Sequence, residues 1–184
     1  PSLRREIRPL DDLKAFIRLY RLIRRERYRI VHTHLSKAGI IGRIAAWLAG
    51  AHAIMHTYHG DVFEGYFGLL KSRILLCVER LVGACTHRFV SVSQPLLGRL
   101  RSRRIGSPSR FVTILNGVDE SAFRPSAVRS GEPGLRVGTA AMFFPIKRVD
   151  LFVDAALDLL ARRRDIRFEI AGGGQEASAL ERAA

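Results

Sequence analysis

A chain of 184 residues, 47% of them hydrophobic, carries enough apolar side chain for a packed core and falls outside the disordered class. Its formal charge of +14 at pH 7 predicts attraction to phosphates, on nucleic acid, an anionic membrane or a small molecule, and charge alone does not choose among them. No apolar run approaches the roughly 20 residues of a spanning helix, and no signal peptide is present.

In chain order, "DDLKAFIRLYRLIRRERY" places Leu13, Phe16, Ile17, Tyr20 and Ile23 at helical spacing with arginines on the other face. Pro9 precedes it, and Asp11 and Asp12 favour a helix start. "RIVHTH" reads as a short strand. "SKAGIIGRIAAWLA" predicts a buried helix, with Ser36 as N-cap and Gly50 as its stop. "AHAIMHTYH" is the next strand and "LLKSRILLCVERLVGA" the next helix. Cys77 and Cys85 fall in that helix among Leu and Val, too far apart for a disulfide, whose Cα atoms must come within about 7 Å. Both are expected to be buried and reduced, which suits a cytoplasmic protein. "HRFVSVS", "QPLLGRLRSRR" and "RFVTILNG" continue as strand, helix, strand. This alternation argues for right-handed βαβ units and a parallel sheet covered on both faces.

After "NGVDESAFRP" the composition shifts to "SAVRSGEPG", rich in chain breakers. "LRVGTAAMF", "VDLFVDAALDLLARR" and "IRFEIAGGG" then open a second α/β unit. The expected organisation is a first domain over 1–122, a linker over 123–134 and a second domain over 135–184. The chain begins in a charged segment and stops inside the predicted helix "QEASALERAA", so both domains are expected to be incomplete.

Ligands of open parallel sheets bind beyond the carboxyl ends of the strands, and polar residues collect there. His32 and His34 close the first strand, His56 and His59 the second, Ser91 and Ser93 the third, and Asn116 the fourth. Each histidine has the competing role of bonding a loop carbonyl. His59 is singled out because Gly60 and Asp61 follow it, suggesting a tight turn that presents the ring. No Cys or paired carboxylate has ligand spacing near these histidines, so no metal is expected. "AGGGQEAS" ends a strand in Gly172, Gly173 and Gly174 and opens a helix whose free N–H groups favour phosphate. Lys147 and Arg148 lie in the loop after the neighbouring strand, where a lysine suits a diphosphate clamp. The arginines of the first helix and of "RLRSRR" read as a solvated face or an attachment to anionic lipid. Nucleic acid is not expected as a partner, because stacking aromatics are not interleaved with them.

The stretches "IVHTHLSKAGIIGRIAAWLAG", "HTYHG", "RFVSVSQPLLGRL", "ILNGVDESAFRP", "VGTAAMFFPIKRVDLFVDAAL" and "FEIAGGGQEASALE" together resemble a family 4 glycosyltransferase of the GT-B type, with two facing Rossmann-like domains. The resemblance implies a retaining transferase that moves a sugar from a nucleotide-sugar to a glycan or lipid-linked acceptor held by the first domain. It implies no metal or other cofactor, and a cytoplasmic enzyme on the inner face of the membrane. By the motifs, His59 matches the histidine that reaches the transferred sugar, Lys147 the lysine on the donor diphosphate, and Gly172, Gly173 and Gly174 the lining of the donor site. Asn116 lies at the strand end before the crossover to the donor domain. His34, Ser36 and Lys37 are assigned to the acceptor side of the crevice.

Three departures stand out. Met142, Phe143 and Phe144 occupy the positions before Lys147 where the family usually has an arginine. The family's N-terminal glycine-rich loop and its pair of spaced glutamates do not occur in this sequence. An active parent with an inactive excerpt is expected. The competing readings are a GT-B-like binding module without catalysis and, resting on charge alone, a basic nucleic-acid-binding domain.

Overall fold

The computed structural model describes residues 3, 7–63, 68–122 and 134–183, which divide into two compact units, Pro1–Val118 and Asp119–Ala184. Of the linker expected over 123–134, only Gly134 is among the described residues.

The first unit runs α1 (Pro9–Glu26), β1 (Ile30–His34), α2 (Ser36–Leu48), β2 (Ala53–Tyr58), α3 (Leu69–Gly83), β3 (Arg88–Ser91), α4 (Gln94–Ser102) and β4 (Phe111–Thr113). Helix α1 starts on a proline with Asp11 and Asp12 in its first turn and ends on Arg24 and Arg25, charges that complement the helix dipole at both ends. Phe16, Tyr20 and Ile23 face the core as the periodicity predicted, joined by Ala15 and Leu19, whereas Leu13 and Ile17 stay exposed. Gly50, at φ 77°, ends α2 in the left-handed region that suits glycine. Ser36 does not cap α2; it is the first helical residue. The cap position belongs to Leu35, whose side chain cannot accept a hydrogen bond and whose φ of 64° and ψ of 161° lie in a region that strains any residue with a Cβ. Helix α4 has a side-chain cap, with Ser93 Oγ accepting from Leu96 N at 3.3 Å.

The four strands are parallel in the order β1-β2-β3-β4, in a register that aligns Thr33, His56, Phe89 and Phe111 in one row. That row and its neighbours Ile54 and Tyr58 point towards the helices. Ile54 packs with Ile23, Ala45 and Ala46, while Tyr58, Phe89 and Phe111 pack with Leu96, Leu97, Leu100 and Ile105. Among the described residues the helices therefore lie on one face of this sheet, not on both as expected. The reason is directional: each strand is added on the same side of the last, and right-handed crossovers then place every connecting helix on one face. His32, His34, Met55 and Val112 belong to the opposite face.

Glycine brings α2 hard against the sheet. A Cβ on Gly39 would overlap the His56 ring, and one on Gly42 would press on the Thr33 methyl. Behind this contact lies a buried polar network. Arg43 Nη2 donates to Glu79 Oε2 at 2.6 Å, Tyr58 Oη donates to the same oxygen at 2.7 Å, and Arg43 Nε donates to the Gly39 carbonyl at 3.0 Å. Arg43 and Glu79 are fully buried, so one ion pair ties α2, α3 and β2 together. With Glu79 and Val82 facing inward, the opposite side of α3 carries Cys77 to the surface. The expected burial of both thiols is thus corrected: Cys77 is exposed, and Cys85 lies half-buried beyond the end of α3.

The second unit contains β5 (Leu135–Met142), α5 (Val149–Leu160), β6 (Ile166–Gly173) and α6 (Ala177–Ala183). The two strands pair in parallel from Leu135–Ile166 to Met142–Gly173. Phe143, Val149, Val153 and Leu180 form the core beside them. No helix among the described residues is long and apolar enough to cross a membrane.

Candidate functional site

In the first unit the register assembles a histidine cluster at the carboxyl end of the sheet. His34 pairs with Thr57 across β1 and β2, and side chains repeat every two residues along a strand. His59, two residues beyond Thr57, therefore emerges on the same face as His34, whose own neighbour on that face is His32. His34 Nδ1 and His59 Nε2 share a hydrogen bond of 2.9 Å. The His32 and His34 rings lie 4.4 Å apart, and His32 Nε2 bonds Thr57 Oγ1 at 2.7 Å. Partial burial, then the nearby His34 and His59, holds the His32 imidazole below its usual range.

His56 does not join them. Its ring is on the helix side of the sheet, fully buried, with Nδ1 2.9 Å from Thr33 Oγ1 and Nε2 without a partner among the described residues. Burial, reinforced by the Arg43 charge, drives its imidazole down to about 2. This is a neutral core histidine.

The loop after β2 is anchored by Arg99 and Arg103, whose sequence context reads as a solvated face or a lipid contact. Asp61 accepts from Arg103 Nη1 at 2.7 Å and pairs with Arg99 Nε at 3.0 Å, while its other oxygen accepts from Phe63 N at 3.1 Å. The Arg103 guanidinium also lies 4.9 Å from the centre of the Phe63 ring. Arg99 and Arg103 thus fasten the His59 loop to α4, and only the Asp61–Phe63 turn had a local signature. Lys37, assigned to the crevice, pairs with Asp12 at 2.5 Å and joins the start of α2 to α1. Ser36 sits in the first turn of α2, directly after the strained Leu35. Ser91 Oγ donates to the Ser93 carbonyl at 2.9 Å, so the third strand end is spent on local structure. Asn116 lies exposed just beyond β4, near the division between the units.

In the second unit, the parallel pairing puts the loops after β5 and β6 at the same end. Gly172 and Gly174 have φ of 158° and 152°; a Cβ at Gly172 would overlap the Ala141 carbonyl oxygen, and one at Gly174 would crowd the Phe143 backbone. Phe143 N donates to the Gly173 carbonyl at 2.9 Å, and Glu176 N donates to the Phe143 carbonyl at 3.1 Å. The glycine turn is therefore wrapped on the end of β5, and the N–H of Glu176 is already engaged. Gly173 alone of the three has open space beside it. Lys147 ends a single tight turn, Pro145–Lys147, on this same edge, exposed and without an ion pair among the described residues. Arg148 is committed to Asp150, Nη2 lying 2.8 Å from Oδ2, and in turn holds the Asp150 carboxyl below its usual range. Of the three residues where an arginine was anticipated, Phe143 is core and Met142 is exposed.

Residues 2–122 match the family described as Glycosyltransferase Family 4. The chain is 37% identical over 132 residues to the Escherichia coli UDP-Gal:alpha-D-GlcNAc-diphosphoundecaprenol alpha-1,3-galactosyltransferase, an alignment covering 72% of this chain and 34% of that protein. It is 25% identical over 127 residues to the Staphylococcus aureus capsular polysaccharide biosynthesis glycosyltransferase CapM, covering 66% and 33% respectively. It thus spans about a third of the length of these curated relatives. Among solved structures, the Anabaena protein HepE, in complex with UDP and glucose, superposes with a TM-score of 0.73 at 16% identity, covering 97% of this chain and 49% of that one. The likeness identifies the fold as α/β of the GT-B type, in which two Rossmann-like domains occur. On the match over residues 2–122 and the kinship with the E. coli enzyme, the chain belongs to glycosyltransferase family 4.

Proposed function

We propose that the protein is a retaining hexosyltransferase that moves a sugar from a nucleotide-sugar to a glycan or lipid-linked acceptor in cell-surface polysaccharide or glycolipid synthesis. The observation that carries this reading is the 37% identity over 132 residues to an enzyme whose name specifies UDP-Gal and a diphosphoundecaprenol acceptor. The family match over residues 2–122 takes in the strand ends that hold His34, His59 and Asn116. His59 contacts the transferred sugar. Lys147 holds the donor diphosphate beside the turn of Gly172, Gly173 and Gly174. As the bond to the sugar breaks, the leaving nucleoside diphosphate gains charge, and a fixed ammonium stabilises that change without a metal cofactor. His34, Ser36 and Lys37 border the acceptor side, with Lys37 acting through its pairing to Asp12.

A cytoplasmic enzyme working on a lipid-linked acceptor meets an anionic membrane surface. The sequence offers Arg99 and Arg103 for that contact, but both pair with Asp61. The outward side of α3 fits it better: Leu70, Ile74 and Leu81 are 73%, 57% and 71% exposed, in line with exposed Cys77 and flanked by Lys71, Arg73 and Arg80. The exposed Arg18, Arg21, Arg24 and Arg25 of α1 add to the basic surface.

The alternative, a binding module without catalysis, draws on Phe143 standing in the core where the family usually places an arginine. Calorimetry with UDP and transfer from UDP-galactose, both on the intact protein, separate the two. Catalysis predicts turnover, and Lys147→Ala should weaken UDP binding at least about tenfold, since one charge-assisted contact contributes roughly 1.5–3 kcal/mol. UDP binding without turnover of any nucleotide-sugar would select the binding module. Unchanged UDP affinity in Lys147→Ala would move the phosphates elsewhere.

A further inference from the structure

We propose that His34 is a positioning residue for His59: its Nδ1 accepts a hydrogen bond from His59 Nε2–H and thereby leaves His59 Nδ1 as a bare acceptor for a sugar hydroxyl. The inference rests on the reading of His59 as the residue at the transferred sugar.

The argument begins with proton counting. Two neutral imidazoles 2.9 Å apart, nitrogen to nitrogen, can be bonded only if one nitrogen carries a proton and the other does not. The tautomers of His34 and His59 are therefore locked to each other. One arrangement has His34 Nδ1–H donating and forces His59 to carry its proton on Nδ1. The other has His59 Nε2–H donating and leaves both rings protonated at Nε2, the form that a free neutral imidazole prefers. The second arrangement costs neither ring its preferred tautomer, and it decides what His59 offers outward: Nδ1 becomes a lone pair, able to accept from an O–H but not to donate.

Position follows from the same bond. A histidine in a loop has two free side-chain torsions, and a contact to sugar requires both to be held. The His34 ring is itself restrained, lying 4.4 Å from His32, which is bonded to Thr57 Oγ1 at 2.7 Å. His34 ends β1 and is followed by Leu35 in its strained conformation, so the ring projects from a turn that the helix start pins on its other side. The backbone of the His59 loop is held separately, through Asp61 and Arg103. Loop and ring thus have independent supports, and replacing His34 frees the ring without releasing the loop.

The test uses the intact protein with histidine side-chain nitrogens observed by NMR, in wild type, His34→Leu and His34→Asn, together with steady-state transfer kinetics. In wild type a proton bound to His59 Nε2 should be visible and coupled to His34 Nδ1, with Nδ1 of His59 unprotonated. The Nε2 proton resonance should vanish in His34→Leu through exchange with water and return in His34→Asn, whose amide oxygen can take the acceptor's place. The kcat of His34→Leu should fall between about 10- and 100-fold with little change in KM for the nucleotide-sugar, and His34→Asn should recover part of it. A His59 proton on Nδ1 in wild type, an Nε2 resonance indifferent to His34→Leu, or undiminished kcat in that variant would each overturn the proposal. His59→Ala distinguishes the two levels: if it retains full kcat, the assignment of His59 to the sugar fails, even if the NMR result shows the locked tautomers.

Discussion

Lowering the pH from about 8 to about 5 should destabilise the first unit through His56. Its ring is fully buried, and burial together with the Arg43 charge drives it down to about 2. An unfolded histidine titrates near 6.5. Because the folded value lies below the unfolded one, the unfolded chain takes up the proton first, and stability falls as pH drops through about 6.5. The slope below that point is about 1.4 kcal/mol per pH unit, so the interval from about pH 6.5 to 5 removes roughly 2 kcal/mol, while the interval above about pH 7 removes almost nothing. Urea unfolding at a series of pH values, followed by far-UV circular dichroism, measures this directly. His56→Asn supplies the control. It places an amide towards Thr33, which keeps its own bond to the Met55 carbonyl at 3.1 Å. A cavity will offset its stability at neutral pH, but the variant should lack the His56 share of the slope, and His32 contributes equally to both proteins. Parallel loss of stability in wild type and His56→Asn between about pH 6.5 and 5 would refute the reasoning.

Two further predictions concern the second unit and the surface. Gly172→Ala should destabilise the second unit by about 1–3 kcal/mol or more, because its Cβ meets the Ala141 carbonyl, whereas Gly173→Ala should stay within about 0.5 kcal/mol; thermal unfolding of the two variants side by side tests the contrast. Replacing Lys71, Arg73 and Arg80 together by Gln should weaken binding to anionic vesicles by about 3 kcal/mol, roughly 100-fold, at about 1 kcal/mol per basic residue. Co-sedimentation with anionic and neutral vesicles measures this, and equal binding of wild type to both would dismiss α3 as a lipid contact.

The element order was legible because alternating apolar strands and helical periods are local signals, and all of β1 to β6 follow from them. What the pattern could not carry was direction. Nothing in a segment's own residues says that each strand joins the sheet on the same side as the last, which is why the helices fall on one face. Glu79 shows the same limit within a helix. An acidic residue in "LCVERLV" reads as outward, but its partner Arg43 stands 36 residues earlier and draws it inward, turning Cys77 out. The histidine cluster was visible as a concentration of rings, while its division into a buried His56 and a bonded His34–His59 pair depended on strand parity and register. Arg99 and Arg103 were indistinguishable from solvated charges until Asp61 came into reach.

The buried ion pair also bears on how this sequence can change over generations. Removing one partner of such a pair strands the other charge in the interior, at a cost of about 3–5 kcal/mol, whereas replacing both by apolar side chains is often neutral. A domain has only about 5–15 kcal/mol to lose. A lineage moving from the ionic to an apolar solution at positions 43 and 79 must therefore cross an intermediate that is barely folded. The hydroxyl of Tyr58 adds a third condition, since it would lose its acceptor along with Glu79. Arg43, Glu79 and Tyr58 should drift slowly and in concert, three positions inherited as one character.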